Sequence, residues 1–199
     1  MSRKTMIIVI VAAVILLIAI ILGSKYNRMV REDETTITAW ANVESVYQRR
    51  ADLIPNLVRT VQGAADFERG TLESVIQARS EATSVKVDPE NLTQESLAAF
   101  QKAQSNLSSS LNRLMVVVER YPELKANQNF RELQAQLEGT ENRINVERQK
   151  FNETVKNYNS YIRRIPNNLI AGMFGFKTKA VFEAQEGAEI APEVDFNFN

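Results

Sequence analysis

Glu138, Glu141 and Glu147 lie close together in one polar stretch and are the side chains best placed to do chemistry. Carboxylates at such spacing on a helix are what helical bundles use to hold metal ions. Those sites also draw Glu-x-x-His pairs from facing helices, and this chain has no histidine. A hard cation such as Ca²⁺ accepts oxygen ligands alone, but no loop carries EF-hand spacing. The residue types favour a solvated face or a Glu–Arg network, with Glu138, Glu141, Asn142 and Arg143 as a polar set that ties helices together. Arg143 and Glu147 read as an exposed i,i+4 pair worth a few tenths of a kcal/mol. No catalytic residue, metal site or cofactor is expected.

Two further clusters are candidates for recognition. Arg49, Arg50 and Asp52 stand beside Ile54-Pro55-Asn56. They read either as a partner-binding patch (Arg49, Arg50, Pro55, Asn56) or as a Pro-kinked helix whose freed carbonyl is capped by a nearby Arg or Asn, and the second is favoured. Pro166 to Phe176 is an apolar stretch with Gly172 and Gly175 inside it. Exposed apolar loops of that length pack or bind. Met173, Phe174 and Phe176 therefore either cap their own bundle or contact a neighbouring subunit or lipid, and the intermolecular contact is the expectation.

Composition narrows the classes. Basic and acidic residues number 24 each, so there is no basic field for nucleic-acid phosphates. With no cysteine there are no disulfides and no thiolate chemistry. The missing histidine removes the commonest general base. A hydrolase would have to work with Glu, Asp or Lys alone, and the scattered charges offer no paired groups in a cleft.

The elements that must position these residues are helical. Met6 to Leu22 is an unbroken run of Met, Ile, Val, Ala and Leu. It spans about 26 Å as a helix, close to the thickness of a hydrocarbon core. A cleavable signal peptide is the alternative, given Arg3 and Lys4, but the exit Ala19-Ile-Ile-Leu-Gly-Ser24 puts Ile21 where a small residue is wanted. The uncleaved anchor is preferred. Ala19 and Gly23 form a small-xxx-small pair that lets helices approach. Basic residues nearly balance across it, with Arg3, Lys4 and the amino terminus on one side and Lys25, Arg28 and Arg31 on the other. The expectation is a cytoplasmic N-terminus with the rest of the chain outside.

Beyond the anchor, Ile37, Trp40, Val43, Tyr47, Ile54, Leu57, Val61, Ala65, Leu72 and Val75 recur at three- and four-residue spacing. This is one helical face from about 31 to 83, as a single kinked helix or as two broken near Gly63 and Gly70. Val87 to Asn91 is a loop. A further helix carries Leu97, Phe100, Leu107, Leu111, Leu114 and Val118 and stops at Tyr121-Pro122. The last carries Phe130, Leu133, Leu137, Ile144, Phe151, Val155, Tyr158, Ile162 and Ile165, ends at Pro166, and has a polar stripe near 141–148 that weakens the core there. Breaks are expected near 84–91 and 120–127. The segment 169–176 is too Gly-rich for a good helix. From Glu183 the tail is acidic and irregular, with strand-like alternation at 194–199.

Several blocks of the chain resemble the LemA family. They are Arg49-Arg-Ala-Asp-Leu-Ile-Pro-Asn-Leu-Val58, Leu137-Glu-Gly-Thr-Glu-Asn-Arg-Ile144, Tyr158-Asn159, and Ile165-Pro-Asn-Asn-Leu-Ile-Ala171 with Phe174-Gly-Phe-Lys177. The likeness runs from about Trp40 to Phe182 and departs at Ile165 and Gly172-Met173, where Phe and bulkier apolar residues are expected. It implies a membrane-bound bacterial protein with an antiparallel helical bundle, and it brings no catalytic residue. The expected architecture is all-α: a short tail at 1–5, a transmembrane anchor at 6–23, a bundle of long, kinked helices at 24–182, and an irregular tail at 183–199. The expected role is a non-enzymatic scaffold or adaptor of the bacterial envelope that self-associates, with membrane lipids, further copies and an envelope protein as partners. A lipid-binding or membrane-remodelling protein is the alternative, for which Lys177 and Lys179 flank the apolar stretch.

Overall fold

The computed structural model describes residues 2–63 and 67–183. Ala65 and the alternation at 194–199 lie outside them. Among the described residues the chain is all helix and loop, without strands: α1 (Arg3–Gln62), α2 (Arg69–Ser84), α3 (Gln94–Val118), α4 (Pro122–Ala126), α5 (Gln128–Arg163) and α6 (Asn167–Phe174).

The apolar run lies inside α1, a single helix of 60 residues, about 90 Å long at 1.5 Å per residue. Nothing in the described chain covers its apolar stretch, which is long and apolar enough to cross a membrane and is fully exposed. That rules out a core helix of a soluble bundle. The helix begins at Arg3, capped by Ser2, and passes through Gly23 without a break. The residues expected as a tail therefore belong largely to α1, and the apolar stretch and the bundle share one helix.

Of the two readings for 31–83, two helices form. Pro55 sits inside α1, and the chain leaves the helix at Gly63, well past the proline. Proline removes the bond to the carbonyl four residues back. That carbonyl, of Ala51, accepts a 2.7 Å bond from Arg79 Nε on α2. Its cap thus comes from a distant arginine and not from a neighbour in sequence.

Caps define the remaining ends. Thr93 accepts from the Ser96 amide at 3.2 Å to start α3, and Asn127 from the Phe130 amide at 3.2 Å to start α5. The expected break at 120–127 contains the short α4, with Pro122 in its first turn. α5 ends at Arg163, so Ile165, expected on its apolar face, lies beyond the helix end and is 84% exposed. The segment 169–176 corrects the expectation outright: α6 is helical through Gly172 and stops at Gly175, which takes a φ of +81°. Packing of Ile170 and Ala171 offsets the roughly 1 kcal/mol that one internal glycine costs.

α1 and α5 run antiparallel along a seam. Its buried residues on α1 fall at Met29, Thr36, Val43, Arg50 and Leu57, and at Trp40, Tyr47, Ile54 and Val61. On α5 they fall at Phe130, Leu137, Ile144, Phe151 and Tyr158. Each series has seven-residue spacing, which keeps one stripe facing a partner helix over many turns. α2 and α3 form a hairpin over the half farther from the apolar stretch. Leu111, Leu114, Ile144, Phe151 and Val155, all expected inside, are buried.

Candidate functional site

Three apolar clusters stack along the bundle. The one farthest from the apolar stretch includes Ile54, Leu57, Leu107, Leu111 and Leu137. The middle one is aromatic, with Trp40, Phe100, Phe151 and Phe182. The third, next to the apolar stretch, joins Met29, Tyr158, Tyr161, Ile162 and Ile170.

Between the first two sits a polar layer. Arg50 is 2% exposed. Its Nη1 donates to Glu141 Oε2 at 2.8 Å and to Ser108 Oγ at 2.9 Å, and its Nη2 donates to Gln104 Oε1 at 2.6 Å. Gln104 in turn donates to the Ala82 carbonyl at 3.1 Å. One guanidinium therefore links α1, α3 and α5, and Gln104 adds the end of α2. The cation also lies 5.2 Å from the centre of the Tyr47 ring. Burial raises the pKa of that phenol, opposed by the charges of Arg148 and Arg50. A cleft of about 410 Å³ opens over this layer, lined by Arg50, Ser108, Asn112, Gln134 and Glu141 among others.

The fates of the sequence candidates differ. Arg50 cannot be a surface recognition residue, because its charge is spent inside the bundle. Arg49 is exposed over a shallow groove with Gln136 and Arg143. Pro55 and Asn56 are exposed, and Asn56 bonds within its own helix to Arg59 and Thr60. Of the expected polar set only Glu141 reaches the layer. It lies between Leu137 and Ile144, at the edge of the seam, whereas Glu138 and Asn142 turn outward, and Glu138 pairs with Gln134. Arg143 bonds Glu147 at 3.3 Å. Glu147 is buried, contrary to expectation, and Lys150 holds it at 3.1 Å from the other side. The three glutamates thus have separate partners. Among the described residues no three carboxylates, histidines or cysteines converge on a metal-sized site.

The sequence reading missed Gln104 and Ser108, although Gln104 falls in the apolar phase of Phe100, Leu107 and Leu111. It also missed a clamp on the chain after α6. Asn159 on α5 donates to the Lys179 carbonyl at 2.8 Å and accepts from the Lys179 amide at 2.9 Å. Asn152, two turns back, makes the same reciprocal pair with Phe182, at 2.9 Å each way. Two asparagines so hold an extended segment against α5, where it carries Phe182 into the aromatic cluster. The Phe182 ring centre lies 5.5 Å from that of Phe151 and 6.0 Å from that of Trp40.

Lys179, which only the lipid-binding alternative sets beside the membrane, is buried. Its Nζ reaches the Pro89 carbonyl at 2.8 Å and Asp33 at 2.9 Å, which joins the segment to the α2–α3 loop and to α1. Tyr158 donates to the Lys177 carbonyl at 3.0 Å, and burial, with Asp33 nearby, raises its phenol pKa.

Met173, Phe174 and Phe176 separate. Phe176 packs into the third cluster, and the Phe174 ring lies 4.8 Å from that of Tyr26 on α1, tilted by 57°. Met173 is 79% exposed, on the same face of α6 as Leu169 at 66%, and Ile165, in the turn before the helix, is 84% exposed.

The profile of the LemA family matches residues 39–196. Two magnetosome proteins of Paramagnetospirillum magneticum, MamQ 1 and MamQ 2, are each 27% identical over 83% of this chain and 67% of their own length. Protein LemA of Metamycoplasma hominis is 22% identical over 80% of this chain and 69% of its own. The uncovered stretch of α1 is long and apolar enough to cross a membrane. The seam, the closing segment and the matched profile cover one continuous stretch, and the chain belongs to the LemA family.

Proposed function

We propose that the protein is a single-pass, membrane-anchored, non-enzymatic adaptor of the bacterial envelope that self-associates and presents its bundle outside the cytoplasm. The observation that carries this reading is the continuity of α1. The same helix that has an uncovered apolar stretch supplies half of the buried seam with α5. A partner bound anywhere on the bundle is thus coupled to the membrane through one rigid element. The names of the relatives designate no reaction, which supports an adaptor over an enzyme. Ala19 and Gly23 lie on the uncovered stretch of α1, where small residues let two anchors pack closely. Arg3 and Lys4 support a cytoplasmic N-terminus.

The test is the mass of the intact protein in detergent, with single particles imaged directly. A defined assembly of several copies is the expected result. A monodisperse monomer at all concentrations overturns the self-association.

A further inference from the structure

The membrane-proximal end of the bundle combines two features that the bundle itself does not use. One is exposed apolar surface: Leu169 and Met173, four apart on α6, at 66 and 79%, with Ile165 in the turn before the helix at 84%. The opposite face of α6 is buried through Asn167, Ile170 and Ala171. The other is charge. The chain has no acidic residue from its start to Arg31, nor any from Ile162 to Phe182. These two stretches meet where Tyr26 touches Phe174 at 4.8 Å and Phe176 at 5.8 Å. Lys25, Arg28, Arg163, Arg164 and Lys177 therefore gather around α6, with Arg28 paired to Glu32 at 3.5 Å and Lys177 sharing a hollow with Asp33, Asp88 and Glu90 on its bundle side. Lys156, Arg163 and Arg164 line an open hollow of about 690 Å³ beside it.

Position along α1 says what covers that apolar surface. Tyr26 comes four residues after Leu22, the last residue of the apolar run, so it lies about 6 Å farther along the axis. The headgroup layer on each side of a bilayer is about 5–8 Å thick. A helix packed on Tyr26 is held at that depth, where amphipathic helices lie in the membrane plane with basic residues on phosphates and apolar residues below.

We propose that α6 is an interfacial helix, with Ile165, Leu169 and Met173 in the headgroup–acyl boundary of the leaflet that α1 leaves and with Arg163, Arg164 and Lys177 on anionic lipid headgroups. This rests on the reading of α1 as a membrane anchor. α6 then fixes the angle of the bundle to the membrane, a constraint that a single helix does not supply.

The chain contains no cysteine, so single substitutions carry unique labels. Met173→Cys, Ile15→Cys and Gln136→Cys, each in the full-length protein and bearing an environment-sensitive fluorophore, are reconstituted into vesicles of phosphatidylcholine and phosphatidylglycerol. Acyl-brominated lipid and an aqueous quencher are then compared. The label at 173 is expected to behave like that at 15, with several-fold stronger quenching by brominated lipid than the label at 136. Omitting phosphatidylglycerol, or combining Arg163→Ala, Arg164→Ala and Lys177→Ala, should reduce that quenching. If the label at 15 meets lipid and that at 173 meets only water, the anchor stands and the interfacial helix is overturned. A label at 173 shielded from lipid and water alike means a second copy covers the stripe, which also overturns it. A label at 15 open to water overturns the anchor and this inference together. Quenching at 173 that ignores lipid charge and the triple substitution overturns the headgroup contact.

Discussion

Arg50 and Met173 invert the usual rule in opposite directions. The charged residue is 2% exposed and the apolar one 79% exposed. Arg50 finds its partners on α3 and α5 of the same chain. Met173 projects from an eight-residue helix whose other face is already packed. The first inversion is resolved within the molecule and concerns how the bundle is specified. The second is not resolved by the described residues and bears on the proposed contact with the membrane. A buried charge on a seven-residue seam favours one alignment of α1 against α5, since a shift by one heptad would carry Arg50 from Glu141 to Gln134 or to the like-charged Arg148. Polar residues at such positions set register at a cost in stability.

The largest effect should come from breaking the internal side of the comparison. Arg50→Ala is expected to destabilise the detergent-solubilised full-length protein by about 3–5 kcal/mol, because it leaves a cavity and strips Gln104 of its donor. Glu141→Gln should cost much less, since the Glu141 side chain is 49% exposed and water replaces part of what it loses. Chemical denaturation of the two variants measures the asymmetry. Equal costs would mean that Arg50 acts as one half of a surface ion pair. Leu111→Ala, in the apolar cluster beside the layer, should cost about 2–5 kcal/mol, towards the lower end because the side chain borders the cleft. Should Leu111→Ala cost more than Arg50→Ala, the polar layer is the weaker element.

The clamp on the closing segment comes next. Asn152→Ala removes both bonds to Phe182 and is expected to cost about 1–3 kcal/mol. Amide exchange should quicken at Ala180 and Phe182 while the seam stays protected. Uniform loss of protection would show that the segment unfolds only with the whole bundle. Tyr158 adds a pH dependence of smaller size. Its raised pKa means the folded state favours the neutral phenol. That stabilisation is complete below the ordinary phenol value of about 10 and is lost as the pH rises above it. Tyr158→Phe should flatten the alkaline limb of a stability profile, and an unchanged limb would locate the titration elsewhere.

The helices, their apolar faces and the anchor run were legible because period and length are local signals. The seam partner of each face was not, since three- and four-residue spacing says which side is buried and not against what. Arg50 was singled out for its place beside Pro55. Its burial was readable only from its phase, three residues after Tyr47 and four before Ile54. Gln104 gave the same signal. Glu147 was read as exposed for its charge, although it is three residues after Ile144 and four before Phe151. α6 was misread because two glycines outweighed the apolar face that holds them. Asn152 and Asn159 gave no signal in advance, because their partners are backbone groups that come within reach only once the segment is laid down.

The smallest effect should lie on the external side, and its smallness is informative. Met173→Ser removes an apolar side chain that the bundle does not cover, so stability in detergent should change by no more than about 0.5 kcal/mol. Phe176→Ser, three residues on, should cost about 1–2 kcal/mol, a good part of what burying a phenylalanine contributes, because that ring packs in the third cluster. Residues grouped together by their sequence thus separate into a cap and a contact. A loss above about 1 kcal/mol for Met173→Ser would mean that the protein itself covers the stripe. A fall in assembly size in that variant, without loss of stability, would assign the stripe to a second copy in place of lipid. Unchanged stability and assembly size, with a changed depth of the label in vesicles, is the result that separates Met173 from Arg50 as the outward-facing half of the pair.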